Sequence, residues 1–174
     1  MIINLKDLKP LDAQNYLQHA IAPRPICFAS TIDAEGNINL SPFSFFNLFS
    51  SNPPIVIFSP ARRVRDNTTK HTLQNVLEVP EVVINIVDYT IVQQTSLASC
   101  EFEKGTNEFE KAGFTMEAST QVKPPMVKES KIKFDLILID GGHSYETVKT
   151  DFYFARNLIS SNGAIFFDDY VNKQ

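Results

Sequence analysis

Residues 22–47 read APRPICFASTIDAEGNINLSPFSFFN and are the most informative part of the chain for its fold. The apolar run Ile26 to Ile32 predicts a β-strand. Residues 33–37 combine Asp, Gly and Asn, which predicts a turn in which Gly36 takes a positive φ. Ile38 to Leu40 then resumes an extended segment, so the stretch predicts a β-hairpin.

Beyond this hairpin, the sequence of the first 130 residues predicts many short strands and few helices. The apolar run Ile55 to Ser59 and the β-branched run Val82 to Val87 predict two further strands. This pattern favours a small β-barrel. The expected helices are residues 11–20, a helix with Asn67 or Thr68 as N-cap that runs to about Val76, and a short helix between the capping residue Asn107 and Gly113.

The composition is typical of a soluble globular chain. The 174 residues fit one domain, or one domain plus a fragment. Hydrophobic residues make up 43% and charged residues 21%, and the net charge of −4 argues against a nucleic-acid-binding surface. No apolar run reaches the roughly 18 residues of a membrane span, and the N-terminus lacks the apolar region of a signal peptide. We therefore expect a cytoplasmic protein with no nucleic-acid or membrane partner.

Several segments carry motifs in the order found in a known family. They read RDNTTKHTLQN at residues 65–75, VINI at 83–86, NEFEKAG at 107–113 and PPMVKES at 124–130. Together with residues 22–47, they resemble the flavin reductase-like family of FMN-binding split-barrel proteins. The resemblance covers about three quarters of the chain.

FMN requires an anion site for its phosphate, hydrogen bonds for its pyrimidine edge and a flat apolar wall for its ring. Lys70 offers a positive charge near a helix start, where backbone N–H groups favour anions. Arg62, Arg63 and Arg65 cluster nearby and suit one small anion. The resemblance implies these cofactor-binding residues: Arg24, Ala29, Ser30, Thr31, Asn39, Leu40, Ser41, Pro42, Ser44, Phe45, Thr69, Lys70 and Thr72.

The resemblance implies an oxidoreductase in which FMN takes a hydride from NAD(P)H and passes electrons to free flavin or another acceptor. Because the cofactor carries this chemistry, no catalytic side chain and no metal are expected. The resemblance also implies a homodimer with the flavin at its interface. Each residue has a structural interpretation as well: Phe45 as core, Asn39 as a side chain bonded to nearby backbone, and Lys70 as an ordinary helix lysine.

The pattern changes after Ser130. Residues 134–145 read FDLILIDGGHSY and residues 163–170 read GAIFFDDY, which predicts two strands of a β-α-β unit. Apolar residues from Val148 to Ile159 recur at helical spacing between them. This unit resembles the late part of a class I S-adenosylmethionine-dependent methyltransferase.

Three aspartates in this unit, Asp140, Asp168 and Asp169, sit where related metal-dependent methyltransferases bind a divalent cation. The glycine-rich unit that holds adenosylmethionine is absent from the chain. These aspartates are therefore expected to end their strands in solvent, without a metal.

The expected fold is mainly β with short helices. An incomplete, C-terminally truncated split β-barrel occupies residues 1–130, and a methyltransferase-like β-α-β fragment occupies residues 131–174. Phe134 to Ile139 could instead replace a missing barrel strand. The alternatives for function are an inactive or binding-only chimeric fragment, a metal-dependent methyltransferase, and another split-barrel use such as pyridoxamine-phosphate oxidation or haem handling.

Overall fold

The computed structural model describes residues 3–51, 54–139 and 164–167, with the backbone alone at Pro54, 136–139 and 164–167. A 3₁₀ turn at Leu5–Asp7 precedes the helices α1 (Pro10–Ala20), α2 (His71–Glu78), α3 (Val92–Ala98) and α4 (Glu108–Ala112). The strands are β1 (Cys27–Ile32), β2 (Ile38–Phe43), β3 (Phe46–Ser51), β4 (Pro54–Phe58), β5 (Glu81–Ile86), β6 (Met116–Glu117), β7 (Met126–Val127), β8 (Lys133–Ile139) and β9 (Ala164–Phe167). The prediction of a mainly β chain with short helices is confirmed.

Strands β1 and β2 form the predicted hairpin. They pair antiparallel with Thr31 opposite Asn39 and Ala29 opposite Ser41. Gly36 has a φ of 93° in the connecting turn, as expected for a position that favours glycine. The hairpin therefore brings Thr31 of β1 alongside Asn39 and Ser41 of β2.

One mixed sheet organises most of the described residues. It has seven strands in the order β2-β1-β5-β8-β9-β4-β3, and β6 and β7 form a separate pair. Strand β8 pairs antiparallel with β5 and parallel with β9, which in turn pairs parallel with β4. Residues 134–139 thus join the sheet of the first 130 residues, as the barrel-strand interpretation predicts.

The sheet does not close into a barrel within the described residues. Strands β2 and β3 are its two edges and do not pair with each other there. The expected split barrel is therefore present as an open, incomplete sheet. In the same residues, we find no helix with the length and hydropathy of a membrane span.

The two faces of β1 pack into two separate cores. Cys27 and Ala29 lie in one core with Phe58. Phe28 points to the opposite face and packs with Phe109 of α4. Each fully buried aromatic side chain contributes about 1.5–3 kcal/mol to stability, so β1 is held firmly from both sides.

Helix α2 starts later than the sequence predicts. Asn67 and Thr68 do not cap it, and Lys70 is the N-cap residue, without a side-chain cap bond. Asn67 takes a positive φ of 55°, and its backbone N–H donates to Arg63 O at 2.8 Å. The predicted cap was wrong because residues 63–68 close a turn of their own before the helix begins.

Helix α4 matches its prediction. Asn107 Oδ1 accepts a hydrogen bond from Phe109 N at 3.1 Å, and Gly113 ends the helix with a φ of 71°. A capping side chain at one end and a left-handed glycine at the other satisfy groups that a short helix leaves unpaired.

The C-terminal unit is described only in part. Its two predicted strands are β8 and β9, and they pair parallel, as a β-α-β unit requires. The predicted helix from Val148 to Ile159, and Asp140, Asp168 and Asp169, lie outside the described residues. The division near residue 131 stays a prediction, although β8 places residues beyond it in the same sheet as β5.

Candidate functional site

A cavity of about 650 Å³ lies between α1, the end of β2 and the loop of residues 60–70; we call it the large cavity. Its apolar lining includes Leu11, Leu17 and Phe45. Its cationic residues are Arg62, Arg63, Arg65 and Lys70. The volume falls within the roughly 300–1,000 Å³ of small-molecule sites.

A second cavity of about 110 Å³, the small cavity, adjoins it. Asn39 and Ser41 of β2 line it on one side, and Glu108 of α4 on another. Lys70, Arg63 and Glu101 line both cavities. Lys70 therefore stands at the boundary between an apolar-walled space and a small polar one.

Lys70 is a half-buried cation at the start of α2. Its Nζ lies 5.0 Å from the ring centroid of Phe43, a cation–π contact, and it forms no ion pair with any residue that the structure describes. Burial, followed by the charge of Arg63, lowers the pKa of Lys70. The first amides of a helix also lack intrahelical acceptors. The local charge therefore favours an anion at this position.

Asn39 is held by a buried polar network. Its amide lies 2.9 Å from Thr72 Oγ1, in either orientation of the amide group. With the amide nitrogen facing α4, it donates to Glu108 Oε1 at 3.3 Å, while Glu108 Oε2 accepts from Leu40 N at 3.0 Å. Burial raises the pKa of the Glu108 carboxyl. The network joins β2, α2 and α4 behind the small cavity.

The arginines of the loop of residues 60–70 shape its backbone. Arg62 donates to the carbonyl and side-chain oxygens of Asn67, and Arg63 donates to Thr69 O and to Thr68 Oγ1. These bonds hold the turn that precedes α2. The loop is thus fixed by its own basic residues, which also present positive charge to the large cavity.

The structure brings together part of the predicted site. Asn39, Ser41 and Lys70 line the small cavity, while Lys70 also lines the large one. Pro42, Ser44 and Phe45 line the large cavity. The two predicted motifs, one in the β1–β2 hairpin and one at the start of α2, therefore meet in space.

The other seven predicted residues do not line either cavity. Arg24 donates from Nη1 to the carbonyls of Gln18 and Ile21, near the end of α1, and Thr69 Oγ1 accepts from Gln74. The side chains that do not line either cavity are Arg24, Ala29, Ser30, Thr31, Leu40, Thr69 and Thr72, and all but Arg24 and Thr69 are fully or almost fully buried.

Ser30 differs most from its predicted place. The side chains of Ser30 and Thr31 point to opposite faces of β1. Ser30 is fully buried, and its Oγ has no hydrogen-bond partner among the described residues. Thr31 Oγ1 instead accepts from Asn75 Nδ2 at 3.2 Å, which links β1 to α2. Thr31 and Thr72 thus support the cavity wall from behind.

Several cavity residues were not among the predicted site residues. Arg63 had a signal, because it belongs to the basic cluster noted in the sequence. Glu108 belongs to the family motif at residues 107–113, which did not indicate a place in the site, and Glu101 had no signal. Both reach the cavities from segments that are distant in the chain. Leu11 and Leu17 of α1 likewise line the large cavity only through the tertiary fold.

The family model for the flavin reductase like domain matches residues 19–154. The match includes both strands of the hairpin, the loop of residues 60–70 and the start of α2. The chain therefore belongs to the flavin reductase-like domain family.

Known proteins support the same fold. An uncharacterized protein from Aquifex aeolicus is 44% identical over 115 residues, which are 66% of this chain and 58% of that protein. Nitrilotriacetate monooxygenase component B from Bacillus cereus is 28% identical with a TM-score of 0.76, covering 84% of this chain and 73% of that one. A Shewanella frigidimarina protein, assigned by prediction as a flavin reductase with a split barrel domain, is 26% identical with a TM-score of 0.67, covering 82% and 69%.

These comparisons do not support the predicted methyltransferase-like fragment. The family match continues past residue 131 to residue 154. Strand β8 also pairs with β5 over residues 133–137. An apolar strand followed by a glycine-rich turn occurs in many folds. This short pattern is therefore not specific enough to assign residues 131–174 to a methyltransferase family.

Proposed function

We propose that the chain binds FMN and acts as a flavin reductase-type oxidoreductase with NAD(P)H as electron donor. The observation that carries the proposal is the position of Lys70. This half-buried cation forms no ion pair with any described residue, although the nearby Glu101 charge acts on it, and it lines both the large cavity and the small one. A phosphorylated, flat and partly apolar ligand matches this arrangement.

The phosphate of FMN is assigned to Lys70 and Arg63. An unpaired cation that has lost part of its hydration gains most from a charge-assisted hydrogen bond. The backbone N–H groups of His71 and Thr72, in the first turn of α2, add donors that have no intrahelical acceptor. Burial lowers the pKa of Lys70, and a bound anion would favour the charged form of its side chain again.

The flavin ring is assigned to the large cavity. Phe45 is 42% exposed although it lines that cavity, so its ring is available as an apolar wall. Leu11 and Leu17 of α1 line the same cavity. Ser44 and the backbone near Pro42 offer hydrogen-bonding groups for the polar edge of the ring.

Bound FMN supplies the hydride and electron-transfer chemistry. The residues of the chain hold and orient it: Lys70 and Arg63 fix one end, and Phe45 shields one face. No side chain is needed to move a proton in this scheme, so no catalytic residue is proposed.

A homodimer would complete the site. Leu11 and Leu17, which line the large cavity, are 58% and 46% exposed, and Leu48 and Phe49 on the edge strand β3 are 61% and 64% exposed. Leu48 and Phe49 do not line this cavity, but exposed apolar side chains of this kind favour cover by a second copy. Sedimentation at increasing protein concentration should reveal a dimer, and a monomer at all concentrations would contradict this part of the proposal.

The proposal is tested by FMN-dependent oxidation of NADH or NADPH in air. The chain should oxidise at least one of them only when FMN is present. Lys70→Met should weaken apparent FMN affinity by about tenfold or more, as expected for loss of a charge-assisted bond. Lys111→Met, which changes an exposed lysine on α4, should not. Folded protein without FMN-dependent oxidation contradicts the proposed activity.

A binding-only protein is the second candidate. Two strand edges stay open within the described residues. A site that binds FMN but lacks the surface that orients the nicotinamide would give this outcome. Tight FMN binding without oxidation of either nicotinamide would favour it.

A further inference from the structure

Glu101 holds two of the arginines at the large cavity. Its Oε2 lies 2.7 Å from Arg65 Nη1, and its Oε1 lies 3.6 Å from Arg63 Nε. Glu101 follows α3, whereas both arginines belong to the loop of residues 60–70. The carboxylate therefore joins two loops at the point where the two cavities meet.

Positively charged side chains outnumber negatively charged ones around the large cavity within the described residues. Four cationic side chains line it, and Glu101 is the one acidic side chain lining it within the described part of the chain. Arg62 is bonded to the neutral oxygens of Asn67, and Lys70 faces the ring of Phe43. The presence of Glu101 thus decides how much positive charge a ligand meets.

We propose that Glu101 sets the preference of the site for phosphorylated over unphosphorylated flavins. This inference rests on the proposed FMN function. A phosphate at Lys70 and Arg63 lies beside the Glu101 carboxylate, which repels it and already occupies the Arg63 and Arg65 guanidinium groups. Glu101 thereby moderates the affinity for FMN without acting on riboflavin, which has no phosphate.

A purely structural role predicts something different. If Glu101 only fastened one loop to the other, its loss would disturb the cavity and weaken FMN and riboflavin alike. If it instead oriented Arg63 for the phosphate, its loss would lower the preference for FMN. The sign of the change in preference therefore separates the three roles.

The test compares dissociation constants for FMN and riboflavin in the full chain. Glu101→Gln should raise the ratio of riboflavin to FMN dissociation constants by about twofold to fivefold, the effect expected of one partly exposed charge. The gain should shrink as salt is added. Glu103→Gln removes the same charge two residues away, from an exposed side chain that lines neither cavity, and should leave the ratio unchanged.

An unchanged or lower ratio in Glu101→Gln, with an unmodified chain that prefers FMN, overturns this inference and leaves the FMN proposal standing. An unmodified chain that binds neither flavin overturns both. Should Glu101→Gln fail to fold, Glu101→Ala provides the same comparison, and Glu101→Asp, which keeps the charge, should keep the original ratio.

Discussion

Asn39 and Thr72 are 33 residues apart in the chain, yet the Asn39 amide lies 2.9 Å from Thr72 Oγ1. Asn39 belongs to the edge strand β2, and Thr72 lies in the first turn of α2. Their contact places the start of α2 against the hairpin. Lys70, two residues before Thr72, is thereby held at the boundary of the two cavities.

Asn39 and Thr72 should be energetically coupled in their contributions to the free energy of unfolding. Asn39→Ala leaves the buried Thr72 hydroxyl without this partner, and we expect a loss of about 1–3 kcal/mol in the free energy of unfolding. Thr72→Val should cost less in the Asn39→Ala background than in the unmodified chain. A double-mutant cycle by urea unfolding measures this coupling. Additive losses would show that the two side chains do not interact.

Glu108 should make stability depend on pH. Its folded-state pKa is raised, first by burial, so the folded chain binds the proton more tightly than the unfolded chain does. The stabilisation is fully present below the ordinary glutamate pKa of about 4.3, and it is lost as the pH rises through the raised value.

Glu108→Gln removes this titration and keeps an oxygen for Leu40 N. The unfolding free energy of the unmodified chain, relative to that of Glu108→Gln, should therefore fall across this pH range. Urea midpoints at several pH values measure the difference. A difference that stays constant or rises with pH would contradict the account.

Strand β8 should contribute to the stability of the whole sheet. Phe134 packs against the core that contains Phe58 and lies opposite Ile84 of β5. Phe134→Ala should lower the free energy of unfolding by about 2–3 kcal/mol, at or below the roughly 3–5 kcal/mol for a fully buried phenylalanine, because Phe134 is only partly buried. Ile132→Ala, at a position that is 54% exposed, is the matched control. Equal, small effects would mean that residues beyond 131 are not part of this core.

The hairpin and the polar motifs could be predicted because their signals are local. The turn at Gly36 and the extended segments on either side of it indicate β1 and β2, and the order of the motifs indicates the family. The start of α2 could not be predicted, since Asn67 adopts a left-handed conformation held by hydrogen bonds within its turn. A helix-capping pattern in the sequence does not show which of two local bonds will form.

Long-range features of the site were also beyond the sequence. Glu101 and Glu108 approach Lys70 and Asn39 only because α3 and α4 pack on the hairpin face that carries Phe28. The mixed order of the sheet, with β9 between β8 and β4, likewise depends on contacts between distant segments. The β-α-β pattern predicted that β8 and β9 pair, but not that β5 and β4 lie on either side of them.

The central claim is that Lys70 binds the phosphate of a flavin, and equilibrium titration with FMN and riboflavin tests it most directly. We expect one FMN per chain, with an affinity about tenfold or more above that of riboflavin, because a charge-assisted contact to Lys70 is worth at least about 1.5 kcal/mol. Lys70→Met should abolish most of this preference, while Lys111→Met retains it. Equal affinity for the two flavins in the unmodified chain, or a preference that survives in Lys70→Met, would contradict the account.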